Sequence, residues 1–406
     1  MKTTAGDLAI LGGPSEFQTP LHVGRPNVGD RGTILDRIGA VLDRRWLANG
    51  GPCLEEFEKR VADLVGVRHC IAVSSGTMAL SLAARAADLA GEVIVPSFTF
   101  VGTVHALLWQ GITPVFCDVD PRTHNIDPAR AAGLITSRTS GIVGVHLWGR
   151  PCDVDALQGL SERHGLRLLF DAAHAFGCSC EGRMIGSFGD AETFSFHATK
   201  CVNTFEGGAV VTNDARLAGR VRAMRNFGFV DYDLVECLGV NGKMNEVSAA
   251  MGLSSLDAME QFIQANRCNY ARYCGGLRGI RGVRLIRYPE RGSFNFHYIV
   301  LEIDEAEAGL SRNQLCAILW RENVLARRYF YPGCHRMKPY CDMFPGAGAN
   351  LPETERLCSR VLCLPNGTSL GADEIRRLCQ IIRFAISQSA GIKERLAGSL
   401  CEPGNG

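Results

Sequence analysis

Between about residues 67 and 213 the chain alternates short apolar runs rich in Val, Ile and Phe with stretches of helical periodicity. Parallel strands cannot be joined by tight turns; each pair needs a crossover of about a dozen residues, usually a helix. The alternation therefore predicts βαβ units and a mostly parallel sheet sandwiched by helices. Seven strands are expected, at 69–73, 92–95, 113–117, 141–146, 166–170, 191–196 and 208–212. Helices are expected at 77–90 and 101–110, and Asp127-Pro128 reads as an N-cap followed by proline at the first helical position.

At 406 residues the chain exceeds what one core usually organises, so two domains are expected. The pattern divides it into an N-terminal arm (1–30), a large domain (31–255) and a smaller C-terminal α+β domain (256–406). In the smaller domain a helical stretch runs towards Tyr273, 296–303 reads as a strand, and 312–322 and 373–388 read as helices. Ile375, Leu378, Ile382 and Ile386 form one stripe of the last of these. Residues 339–352 are expected to form a loop, and 401–406 a loose tail.

Forty-three basic residues against 42 acidic ones leave no global field for nucleic acid or an anionic membrane, so an anionic substrate must be held by local groups. The N-terminal residues lack a secretory pattern and no apolar run is long enough to span a bilayer, which predicts a cytoplasmic location. The 17 cysteines are scattered through apolar stretches without a C-x-x-C pair. They read as buried reduced thiols, and no metal site is expected.

Four motifs carry chemistry. Ser74-Ser75-Gly76-Thr77 places small residues between a strand and a helix, where backbone N–H groups and the Thr77 hydroxyl can hold a phosphate; alone, the run reads as an ordinary capped helix. Phe98-Thr99-Phe100 follows a buried strand at the carboxyl edge of the sheet, where Phe100, or alternatively Phe98, can stack on a ligand ring. Asp171 ends the apolar run Leu168-Leu169-Phe170, where an unpaired charge is expensive, so it either caps the next turn or meets a cation such as a protonated pyridine nitrogen. His174, three residues on, can face the same ring's oxygen. Finally, Ser195 and Lys200 lie on one strand-to-loop passage before Glu206-Gly207-Gly208; the hydroxyl can reach a phosphate while the amine condenses with an aldehyde. Taken in order, these features suit pyridoxal 5'-phosphate.

With those residues in place, the chain resembles the sugar aminotransferases of fold-type I pyridoxal-phosphate enzymes, the DegT family. The likeness runs from Leu47-Ala48-Asn49-Gly50-Gly51-Pro52 through Ser75-Gly76-Thr77, Asp171-Ala172-Ala173-His174 and Ser195 to Lys200, and on to Asn241-Gly242-Lys243-Met244. It implies that Lys200 holds the cofactor aldehyde, Asp171 pairs with the pyridinium, His174 lies near the ring hydroxyl where many relatives have glutamine, and Gly76, Thr77 and Ser195 hold phosphate. It also implies that Asn241 reaches the phosphate of a neighbouring subunit, hence a homodimer with shared active sites. Two positions depart from the family: Cys201 replaces a common asparagine, and Lys243 the usual arginine.

Trp148-Gly149-Arg150-Pro151-Cys152-Asp153 and Tyr329-Phe330-Tyr331-Pro332-Gly333-Cys334-His335 are similar to the subgroup acting on dTDP-4-keto-6-deoxyglucose in deoxysugar antibiotic pathways. The implied reaction moves an amino group from L-glutamate to C4 of a nucleotide-linked 4-keto-6-deoxysugar, with Lys243, Tyr331 and His335 as candidate substrate neighbours. Amination of a 3-keto sugar or a cyclitol and a non-catalytic cofactor-binding regulator are the alternatives. Dehydration on the same fold is disfavoured, because relatives doing that chemistry place histidine where this chain has Lys200.

Overall fold

The computed structural model describes residues 2–396. The tail expected at 401–406 lies outside the described residues. Seven strands form the main sheet: β1 (His69–Val73), β2 (Glu92–Pro96), β3 (Thr113–Cys117), β4 (Thr139–Val145), β5 (Arg167–Asp171), β6 (Ala191–Ser195) and β7 (Gly208–Thr212), in the order β1-β7-β6-β5-β4-β2-β3. Only β7 runs antiparallel to its neighbours, β1 and β6. All seven coincide with the sequence-based expectation to within two residues.

The sheet is buried on both faces, which explains why its strands read as near-continuous apolar runs. Along β5, Leu168 and Phe170 join one core with Phe57 and Phe194, while Leu169 between them joins the other with Leu80, Val95 and Val210. The first core is covered by helix Pro52–Val65, and the second by helices Gly76–Ala86 and Val101–Leu108.

Helix ends were less legible. The helix expected at 77–90 stops at Ala86, because the chain turns left-handed at Asp88 (φ 57°) and Gly91 (φ 60°). The stretch expected to run towards Tyr273 is two helices, Glu246–Asp257 and Met259–Gly276, separated at Ala258. The segment expected as a loop at 339–352 contains a helical turn, Tyr340–Met343, anchored by the fully buried Tyr340.

The smaller C-terminal domain carries the antiparallel strands β8 (Val283–Leu285), β9 (Ile299–Ile303) and β10 (Val361–Leu364). Its core joins Leu301, Leu362, Ile375, Leu378 and Ile382. Strand β9 begins at Ile299 rather than 296, since Phe296 adopts φ 49° and breaks the extended run. The N-terminal arm packs here as well: Leu8 and Phe17 enter this core, Leu21–His22 pairs parallel with Val324–Leu325, and Lys2 lies 3.1 Å from Glu322. Farther along, the arm is tied to the loop that carries Lys200. Asn27 donates to the carbonyl of Cys201 (3.1 Å), and Asn203 donates back to that of Asn27 (2.9 Å).

Candidate active site

A cavity of about 410 Å³ opens at the carboxyl ends of β4 and β5, where open α/β sheets bind their ligands. Gly76, Thr77, Phe100, Asp171, His174 and Ser195 all line it, together with Lys200. Residues from four separate strand ends thus converge on one space.

The Lys200 loop is held by its own backbone. Phe196 N–H donates to Gly207 and Thr204 N–H donates to Phe196, closing a loop that projects Lys200 inward. His297, from the other domain, donates through Nε2 to the carbonyl of Thr199 at 2.8 Å. Lys200 Nζ donates to the Tyr298 hydroxyl at 3.3 Å. Burial lowers the Lys200 amine from 10.5 to about 8, with Asp171 pulling the other way. Burial also raises the Tyr298 phenol well above its ordinary range, so this neighbour stays protonated.

Asp171 ends β5 with one oxygen accepting from Thr103 Oγ1 (2.8 Å) and the other from Ala173 N–H (3.0 Å). No guanidinium or ammonium group lies within ion-pair distance of it among the described residues. A carboxylate supported only by a hydroxyl and one amide retains room for a cationic partner arriving in the cavity. His174 accepts through Nδ1 from Trp148 N–H at 3.3 Å, which leaves the proton of the neutral ring on Nε2. Burial, then the charges of Lys200 and His297, hold it well below the ordinary histidine range. It is a neutral donor, packed against Trp148 and Tyr298.

At the other end of the cavity, Ser75 caps helix Gly76–Ala86 by accepting from Met78 N–H (3.1 Å). The amides of Gly76 and Thr77 precede the helical ladder and are available to an anion. The turn is seated by close backbone approach. A Cβ on Gly76 would lie 2.8 Å from that of Ser195, and one on Gly208 would lie 2.5 Å from the Ser75 carbonyl carbon. Phosphate donors, an exposed aromatic, an acid and a lysine therefore fit pyridoxal phosphate on the chemistry of the donor set.

The two phenylalanines separate cleanly. Phe98 is core, packed edge-on against Trp148 and Phe330, whereas Phe100 is 58% exposed and lines the cavity. Lys243, Tyr331 and His335 do not line this space, and neither does Asn241, whose expected place is the phosphate of a neighbouring subunit. Asn241 is exposed and pairs by a backbone bridge with Asn226; Lys243 donates to the Asn226 side chain (2.9 Å) and lies over Phe227. Tyr331 lines an adjoining groove with Phe100 and Phe330, faced by Arg328. His335 is buried, with Nδ1 engaged by Ser97 Oγ (2.7 Å) and Nε2 by Glu355 (2.8 Å), so its ring is committed to packing rather than to the cavity.

Sequence reasoning missed Tyr298, Thr103, Arg327 and Tyr329, which also line the cavity. For Thr103 a signal existed: a hydroxyl four residues after Thr99 in an otherwise apolar helix start, the two side chains now 3.0 Å apart. Tyr298 and Arg327 come from the other domain, beyond any local motif.

Residues 30–383 match the model of the DegT/DnrJ/EryC1/StrS aminotransferase family. The chain belongs to this family. As a member it is a fold-type I aminotransferase acting on nucleotide sugars. It is 34% identical to a dTDP-4-amino-4,6-dideoxy-D-glucose transaminase of Shigella dysenteriae, over 90% of this chain and 99% of that protein. It is also 34% identical to a UDP-N-acetyl-3-dehydro-alpha-D-glucosamine 3-aminotransferase of Acidithiobacillus ferrooxidans, over 87% of this chain and 94% of that protein. Among solved structures it is similar to DesI, crystallised in the presence of its TDP-sugar product, with a TM-score of 0.93 and 51% identity over 97% of this chain and 100% of that one.

Proposed function

We propose that the enzyme transfers the amino group of L-glutamate to C4 of a nucleotide-linked 4-keto-6-deoxysugar, with dTDP-4-keto-6-deoxy-D-glucose as the best candidate. The observation that carries the reaction type is the buried amine of Lys200 in one cavity with Asp171 and the Gly76-Thr77 turn. The choice of C4 rests on likeness to the dTDP-4-amino-4,6-dideoxy-D-glucose transaminase of Shigella dysenteriae, and the choice of a thymidine-diphosphate sugar is supported also by likeness to DesI.

Pyridoxal phosphate, when bound, supplies an aldehyde that carries the amino group and a ring that accepts electrons. In this reading the amides of Gly76 and Thr77 and the Ser195 hydroxyl hold its phosphate, and Phe100 covers a ring face. Asp171 keeps the ring nitrogen charged, while His174 donates from Nε2 to the ring oxygen. Lys200 takes the proton from the donor's α-carbon and delivers it to the cofactor's aldehyde-derived carbon in the first half-reaction, and runs the same transfer in reverse, onto the sugar's amine-bearing carbon, in the second. A pKa near 8 leaves this amine able both to accept and to release that proton near neutral pH.

A homodimer with shared sites belongs to the same proposal. Supporting it, Asn241 follows a hairpin, Phe229–Asp231 and Leu234–Val235, that exposes Tyr232, Leu234 and Val235, with Leu238 exposed just after it. A second reading, amination at C3, is favoured by the likeness to the Acidithiobacillus ferrooxidans 3-aminotransferase. Offering the enzyme L-glutamate with matched 3-keto and 4-keto nucleotide sugars, and assigning the products by NMR, separates the two. An amine at C4 is expected; turnover confined to the 3-keto sugar would overturn the assignment.

A further inference from the structure

A second cavity, of about 460 Å³, lies between the turn after β4, the end of helix Met259–Gly276 and strand β8, and shares no lining residue with the Lys200 cavity. Arg122, Arg150, Arg278, Arg284 and Arg287 line it, and no carboxylate does. Leu277, Leu285 and Ile286 make an apolar, buried floor.

Two of the five guanidinium groups are already neutralised, Arg122 by Asp120 (3.0 Å) and Arg284 by Glu302. Arg150, Arg278 and Arg287 have no carboxylate within ion-pair distance among the described residues. Arg287 rests instead on the sulfur of Cys274, at 2.7 Å. Arg150 is held by Nη1, which donates to the carbonyls of Arg122 (3.2 Å) and Thr123 (3.1 Å). Its Nε is buried and has no hydrogen-bond partner among the described residues.

A buried N–H without an acceptor keeps its desolvation penalty, and uncompensated like charges around one groove repel. A bound anion with several oxygens removes both penalties. Planar guanidinium forks match phosphate oxygens bidentately, and the apolar floor gives an organic body somewhere to lie. We propose that this groove binds a diphosphate group, either inorganic or borne by a nucleoside, at a site separate from the catalytic cavity.

The test is calorimetric titration of the cofactor-loaded enzyme with inorganic pyrophosphate and, separately, with thymidine 5'-diphosphate. Arg278 and Arg287 are exposed, so Arg278→Ala/Arg287→Ala should fold, as circular dichroism would verify. Saturable pyrophosphate binding is expected, weakened at least tenfold in this variant and in Arg150→Gln, with transaminase turnover unchanged in the double variant. The control Arg31→Ala/Arg163→Ala, at exposed positions elsewhere, should bind as the wild type does. A greater loss for thymidine diphosphate than for pyrophosphate would assign the nucleoside-borne ligand, and a loss confined to pyrophosphate the inorganic one. No saturable binding, or equal weakening in the control, would overturn the proposal.

Discussion

An amine buried beside a neutral histidine and a phenol binds its proton less tightly than it does in the unfolded chain. For Lys200 the folded value of about 8 lies below 10.5, so folding is penalised at pH values below about 8, and the penalty fades as pH rises towards 10.5. In the cofactor-free protein, Lys200→Met should therefore raise stability at pH 7 by about 1–3 kcal/mol, and the gain should shrink as the pH approaches 10. Urea unfolding at a series of pH values measures this. A gain that stays constant with pH would show that desolvation of the amine is not its source. At this scale the sequence was informative wherever a residue's chemistry was matched to a strand end, as for Asp171 and Lys200. It was silent on direction: Phe98 and Phe100 differ by two positions, yet one is core and the other faces the cavity. The burial of His335 depends on Ser97 and Glu355, which are distant in sequence or on another element.

Among elements, the junction of β1, β7 and helix Gly76–Ala86 depends on glycines that allow backbones to touch. In Gly208→Ala the new Cβ would meet the backbone of Ser75 and Gly76 within about 2.6 Å, and neither is free to rotate away. The variant should lose about 1–3 kcal/mol and bind pyridoxal phosphate more weakly, because the turn proposed to hold the phosphate must shift. Gly219→Ala makes the contrast: within helix Ala215–Met224 its Cβ would meet nothing within 4 Å, so it should be neutral or stabilise by up to about 1 kcal/mol. Thermal melts of the two, with a cofactor titration of the first, check the pair; equal behaviour would contradict the packing argument. Strands were legible because apolar runs bounded by turn residues have few other fates. Helix ends and the Ala258 break were not, since they depend on left-handed residues and packing that periodicity does not encode.

The whole molecule leaves apolar surface uncovered on the hairpin and just after it, where Tyr232 is 95% and Leu238 80% exposed. Burying such surface in a second copy is the physical reason to expect the dimer. Leu234→Glu/Leu238→Glu should yield monomers by light scattering and lose most activity, because Asn241 follows the same hairpin. A variant that stays dimeric and active would move the interface elsewhere. The most direct test of the account as a whole is product formation by the cofactor-loaded enzyme supplied with L-glutamate and dTDP-4-keto-6-deoxyglucose. We expect 2-oxoglutarate to appear in equal amount with the amino sugar, and Lys200→Ala to slow both by at least ~1,000-fold. Undiminished release of both products by Lys200→Ala would contradict the central claim.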